Sequence, residues 1–93
     1  MRTIEPTTRF RRDYKREKKG RHARRLDILL SEVLDMLAAD KQLPARFRDH
    51  ALAGNWADCR DCHIRPDLVL IYRKPDVEKL QLVRLGSHSE LGL

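Results

Sequence analysis

Apolar residues recur along this 93-residue chain in two rhythms, and the change of rhythm divides it. From about His22 to Asp40, Leu26, Leu29, Leu30, Val33, Leu34 and Leu37 repeat with a helical period, while Asp27, Glu32 and Asp35 occupy the other faces. Upstream, Phe10 and Tyr14 stand four apart among Arg and Lys, the spacing of one apolar edge on an amphipathic helix that Gly20 is expected to end. Downstream, CRDCHI (59–64), LVLIYRK (68–74) and KLQLVRLG (79–86) are short, rich in Val, Ile, Leu or Tyr, and separated by turn signals at RPD and KPDVE, which predicts an antiparallel meander. Residues 2 to 5 supply an edge strand beside it. In LPARFRDHALAGNWADC, Pro44 and Gly54 interrupt regular structure, so a functional loop is expected there. The expected fold is α+β: a single domain over residues 1–93, two N-terminal helices on a small antiparallel sheet, in the order β-α-α-β-β-β with a short C-terminal helical turn.

Charge adds a partner class. Twenty Lys and Arg against fourteen Asp and Glu give a net charge of +6, which favours a polyanion over a neutral small molecule, while 41% apolar content still supports a packed core. Half of the cations, ten of twenty, lie in residues 9 to 25, opposed only by Asp13 and Glu17. Within this arm Arg11, Arg12, Lys15, Lys18, Lys19 and Arg21 are the candidates to meet the polyanion. No stretch approaches the roughly 18 apolar residues of a membrane span, and MRTIEPTTRF has no signal-peptide core, so a cytoplasmic protein without membrane contact is expected. Two cysteines in that setting read as reduced thiols.

Candidate chemistry collects in the non-helical half. His50 follows Asp49 in the loop. Asp61 and His63 stand two apart on a strand and therefore share a face. Asp67 follows the Arg65-Pro66 turn, and His88 follows Gly86-Ser87 after the strand that carries Arg84. Imidazoles exchange protons near neutral pH, and carboxylates beside them tune that exchange. Cleavage of RNA needs such a set: a base for the 2′-hydroxyl, an acid for the 5′-oxygen, and a cation such as Arg84 for the phosphoryl charge, with no metal required. Taken singly, each His also reads as a surface or hydrogen-bonding residue, Asp67 as a turn residue and Arg84 as a solvent-facing strand residue. Cys59-Arg60-Asp61-Cys62 has C-x-x-C spacing, yet i and i+3 on a strand face opposite ways, and a zinc site from Cys62, His63 and His50 lacks a second Cys pair or a spaced His pair. Trp56 reads as a loop or core anchor rather than a base-stacking platform.

Four segments in order, FRRDYKR, LP-x-x-FRDHALAG-x-W, RDCHIRPDLVLIY and VRLGSHSEL, resemble the YafQ branch of the RelE-like type II toxins over essentially the whole chain. The resemblance implies a ribosome-dependent messenger RNA endonuclease, held by a cognate antitoxin in the resting cell, that enters the ribosomal A site when free and cuts by 2′-hydroxyl attack without a cofactor. It carries the catalytic set onto His50, Asp61, His63, Asp67 and His88, and phosphate contact onto Arg84; the basic arm would then grip ribosomal RNA. His50 and His88 flank the scissile phosphate in this reading, one as base and one as acid, with His63 orienting or sharing and Asp61 and Asp67 tuning. It further implies a toxin monomeric by itself, meeting operator DNA only through the antitoxin complex. One departure stands out: the family commonly follows its Gly-Ser-His with Leu-Phe, whose aromatic holds the substrate base, whereas Ser89-Glu90-Leu91-Gly92-Leu93 offers only Leu91 or Leu93. The rival readings are a non-catalytic basic RNA- or ribosome-binding module and a DNA-binding regulator, for which the arm matters and the histidines are incidental; a metal or redox protein built on Cys59, Cys62 and His63 is a third.

Overall fold

A computed structural model describes the whole chain, Met1–Leu93. Its elements are β1 (Thr3–Pro6), α1 (Thr8–Glu17), α2 (Leu26–Ala38), β2 (His50–Ala51), β3 (Arg60–Arg65), β4 (Leu68–Arg73), β5 (Lys79–Gly86) and α3 (His88–Leu91), with short 3₁₀ turns at Ala23–Arg25, Ala45–Phe47 and Gly54–Trp56. The five strands form one sheet in the order β1-β5-β4-β3-β2. The α+β class with helices packed on a sheet is as expected. The sheet itself is mixed rather than antiparallel, because β1 pairs parallel to β5, Thr3 opposite Lys79 through Pro6 opposite Leu82. That direction delivers the chain from Pro6 straight into α1, whose start is capped by the Thr7 hydroxyl accepting from Phe10 N–H at 3.1 Å. The first helix stops at Glu17, before Gly20, and the second begins at Leu26 after a 3₁₀ turn rather than at His22.

α1 and α2 cover one face of the sheet. Phe10, Leu26, Leu30, Val33 and Leu37 pack there against Cys62, Leu68, Leu70, Tyr72, Leu80, Leu82 and Leu85. A smaller cluster of Cys59, Val69, Ile71 and Leu91, with Leu52, Trp56 and Val83 against it, covers part of the other face. The central strand β4 is thus buried on both sides, which is why LVLIY is a continuous apolar run without alternation. A β-bulge between β4 and β5 leaves Ile71 opposite Arg84 and Tyr72 opposite Leu82. The extra residue, Val83, lets both Leu82 and Leu85 face the helices and turns Arg84 to the second face. No helix is long and apolar enough to cross a membrane.

β1 covers β5 only as far as Leu82, and α1 takes over the exposed edge beyond it. Thr7 donates to the Val83 carbonyl at 3.1 Å, Asp13 accepts the Leu85 N–H at 3.0 Å, and Arg16 donates to the Leu85 carbonyl at 2.8 Å. The basic arm therefore closes a sheet edge whose backbone groups would otherwise be open for pairing.

Candidate active site

The second face of the sheet gathers the predicted chemistry. On β3, Asp61 stands opposite Ile71 and His63 opposite Val69, both members of the second-face cluster. The two-residue β2, absent from the expected element order, pairs His50 directly with Asp61. After β5 the chain turns at Gly86-Ser87 and makes His88 the first residue of α3. The His63 and His88 rings meet edge to face with centroids 4.9 Å apart, and His50 Nδ1 lies 3.1 Å from Asp61 Oδ1.

The His50 tautomer follows from its neighbours. Nδ1 also lies 2.8 Å from the Arg48 carbonyl, and since both neighbours are acceptors, Nδ1 carries the proton of the neutral ring and Nε2 keeps the lone pair. Arg48 adopts left-handed φ 50°, ψ 42°, a sparsely populated conformation for a residue with a side chain, in the turn that aims its carbonyl at the imidazole. Because the Nδ1–H goes to that carbonyl, Asp61 Oδ1 is left buried without a hydrogen bond despite the short separation. Asp61 is only 3% exposed. Burial pushes its carboxyl above the usual range, against the opposing charges of His50, His63 and His88. His63 is held below the usual imidazole range, first by burial and then by His88, Arg48 and His50, with Asp61 alone among the nearby charges opposing, which favours its neutral form.

Asp67, in the turn between β3 and β4, has Oδ1 3.7 Å from His88 Nδ1 and Oδ2 3.3 Å from Arg21 of the basic arm. Beside the histidines opens a cleft of about 630 Å³, lined by His63, His88, Arg46, Arg48 and Arg65 over Leu29 and Phe47. The three arginines escaped the sequence reading, although RFRDH sets two of them around Phe47 immediately before His50. Arg46 lies over the Phe47 ring at 4.6 Å and pairs with Glu32 at 3.1 Å.

Arg84 does not line this cleft. Its Nε lies 2.6 Å from Asp13 Oδ2 and its Nη2 donates to Oδ1 at 3.2 Å, leaving the side chain 13% exposed. Burial alone would raise the Asp13 carboxyl, but the Arg84 and Leu85 hydrogen bonds and the charges of Arg84 and Arg16 hold it below the usual carboxylate range. Arg11, Arg12, Lys15 and Lys19 stay exposed, as do Lys18 and Arg21, which pair with Asp27 and Asp67. Leu91 is buried in the second-face cluster and has no free apolar surface to offer a base, whereas Leu93 is 41% exposed. Cys59 and Cys62 are free, buried and on opposite faces, and burial raises both thiols. No group of three or more His, Cys, Asp or Glu is arranged to hold a metal ion.

Comparison with known proteins finds relatives and solved structures that align with nearly the whole chain. The family model for YafQ, a bacterial toxin of type II toxin–antitoxin systems, matches residues 2–92. The mRNA interferase toxin YafQ of Escherichia coli K12 is 33% identical over 92 residues, covering 98% of this chain and 96% of that protein. The putative toxin YafQ of Haemophilus influenzae is 46% identical over 54 residues, and this match spans about half of that protein's length, 53%. Among solved structures, YafQ from E. coli BL21(DE3) has a TM-score of 0.84 at 32% identity and 98% coverage of both chains. The DinJ–YafQ toxin–antitoxin complex of E. coli gives 0.82 at 33% identity, over 97% of this chain and 96% of that one.

Proposed function

This chain belongs to the YafQ family of bacterial type II toxins, and from that premise we propose that it is an mRNA interferase, a ribosome-dependent endoribonuclease working by acid–base catalysis. The carrying observation is the convergence of His50, Asp61, His63 and His88 on one sheet face, beside a cleft edged by Arg46, Arg48 and Arg65. In the reaction the base takes the 2′-hydroxyl proton, the 2′-oxygen bonds to phosphorus, and the bond to the 5′-oxygen breaks as the acid protonates it, leaving a 2′,3′-cyclic phosphate and a 5′-hydroxyl. His50 and His88 are the proton-transfer pair. The lone pair on His50 Nε2 suits the base, and His88, with Nδ1 toward Asp67, presents Nε2 to the leaving oxygen. His63, in edge contact with His88, orients it; Asp61, buried beside His50 and on the same strand face as His63, tunes the proton affinity of the imidazoles. Arg48 and Arg65 face the phosphoryl group across the cleft, and Arg84 reaches it only by leaving Asp13. The scheme uses no metal or cofactor.

The E. coli relative is crystallised with the antitoxin DinJ, and a cognate antitoxin is proposed for this toxin as well, with operator DNA bound only by their complex. The basic arm, through Arg11, Arg12, Lys15, Lys18, Lys19 and Arg21, meets ribosomal RNA in the cytoplasm, and the free toxin is a monomer. His50→Ala and His88→Ala are each expected to abolish growth arrest and the cut 3′ ends on translated messages while still co-purifying with the antitoxin. Full toxicity in both variants would overturn the assignment. Ribosome binding without any cut ends in the unaltered protein would favour a non-catalytic RNA-binding module.

A further inference from the structure

Arg16 behaves unlike the other cations of the arm. Rather than reaching outward it folds back on the end of β5, with Nη1 3.0 Å from Asp13, Nη2 donating to the Leu85 carbonyl at 2.8 Å, and Nε 3.2 Å from Glu17 and 3.1 Å from Glu90 Oε2. Glu90 is the far partner of a capping box: its Oε1 accepts the Ser87 N–H at 2.9 Å while the Ser87 hydroxyl accepts the Glu90 N–H at 3.1 Å. One carboxylate thus joins the Arg16 guanidinium to the start of α3, and His88 is the residue after that cap. Gly86 makes the approach feasible, since a Cβ there would lie 2.8 Å from Arg16 Nη2 and 3.1 Å from Glu90 Oε1. A four-residue helix does not hold its own shape in water, so α3 depends on such ties to keep the His88 ring against His63.

We infer that Arg16 and Glu90 form a strut whose function is to position His88 for proton transfer, making them positioning residues rather than RNA contacts. This rests on the nuclease reading above and deepens it. Small displacements of a reacting group lower rates steeply, about 10²-fold for 1 Å, so partial loosening of α3 should lower turnover about tenfold.

The test is a double-mutant cycle. Glu90→Gln keeps an oxygen for the Ser87 N–H but removes the charge facing Arg16, and Arg16→Gln removes its partner. Each is expected to lower kcat for cleavage of a translated message about tenfold with KM within about twofold, and the double variant should be no worse than either single, because both break one strut. Arg16→Lys, which keeps a cation facing Glu90 but not the full set of guanidinium bonds, should recover part of the loss. In parallel, proton NMR of the free toxin reads the upfield ring-current shift that the His63–His88 contact imparts, and both Gln variants should lose it. That signal does not depend on activity, so an inactive parent protein would defeat the nuclease reading and leave the strut to be judged by NMR. A loss expressed in KM, additive losses near 100-fold in the double variant, or unchanged His88 signals would overturn the inference.

Discussion

Replacing Asp13 by Asn tests how the fold holds α1 against β5. The carboxylate receives four donated hydrogen bonds: Arg84 Nε at 2.6 Å, Arg84 Nη2 at 3.2 Å, Arg16 Nη1 at 3.0 Å and Leu85 N–H at 3.0 Å. Asn keeps the shape but offers one acceptor oxygen and turns an NH₂ donor toward a cluster made of donors. Breaking a fully buried ion pair typically costs about 3 to 5 kcal/mol. Here Arg84 is 13% exposed and Arg16 is 41% exposed, so both regain some hydration, which lowers the expected loss to about 2 to 3 kcal/mol. For a domain of this size that is a fall in Tm of about 10 to 20 °C. The pH dependence supplies a second check. Because the folded-state pKa of Asp13 is depressed, its stabilisation is complete above the unfolded carboxylate range and is lost as pH falls through the lower folded value. The gap between parent and variant, measured by urea denaturation followed by circular dichroism, should be full at pH 7 and shrink toward pH 3 as the parent's own carboxylate protonates. A variant within about 0.5 kcal/mol of the parent at pH 7, or a gap that does not narrow in acid, would mean that the Asp13 carboxylate does not hold α1 against β5.

Asp61→Asn should do the opposite. Its folded-state pKa is raised, so the stabilisation belongs to the protonated form and is lost as pH rises; removing the charge should leave stability at pH 7 unchanged or higher by up to about 1 kcal/mol while mRNA cleavage falls more than about 100-fold, and a loss of 2 kcal/mol in thermal melts would contradict this. Cys62 is fully buried and its thiol is pushed up by burial, so it should resist a thiol-specific reagent in the native protein and react only on unfolding; labelling at the rate of a free thiol would show that β3 opens. Reversing Arg11, Arg12, Lys15 and Lys19 together to Glu should weaken ribosome or RNA association and make the slope of log K against log salt shallower by about 3, with the fold intact, and an unchanged slope would remove the arm from the interface.

Periodicity and turn chemistry made most of the fold legible. The bounds of β5 are read to the residue, the Leu repeat lies within α2 although the helix starts four residues later than expected, and β4 announces its two-sided burial by refusing to alternate. What escaped was set by pairing partners distant in sequence. The parallel docking of β1 depends on β5, some 75 residues away, and the bulge at Val83 decides which face Arg84 takes, a choice that strict alternation cannot reveal. The same holds at the site. Asp61 and His63 were placed on one face by spacing alone, yet their meeting with His50 required β2, which is only two residues long. Asp13 stands in a run of cations and looks solvated; its burial appears only once its hydrogen bonds to β5 are seen.

The excess positive charge reads differently in three dimensions. A count of +6 suggests one basic surface, but the cations divide by task. Arg16 and Arg84 are held by Asp13, at the sheet edge, and release few counterions on binding RNA because their charge is already matched. Lys18 and Arg21 have surface partners in Asp27 and Asp67, exposed pairs weak enough to exchange for phosphate, so a ligand on Arg21 would at the same time release Asp67 from the arm and leave it to His88 alone. Arg48 and Arg65 meet solvent at the cleft itself, beside His63, where a phosphate has the strongest reason to settle. RNA affinity should therefore follow the exposed arm, whereas the rate of cutting should follow the cleft arginines and the strut behind His88. Substitutions in the two groups are expected to separate binding from catalysis even though the sequence writes them in the same residue types.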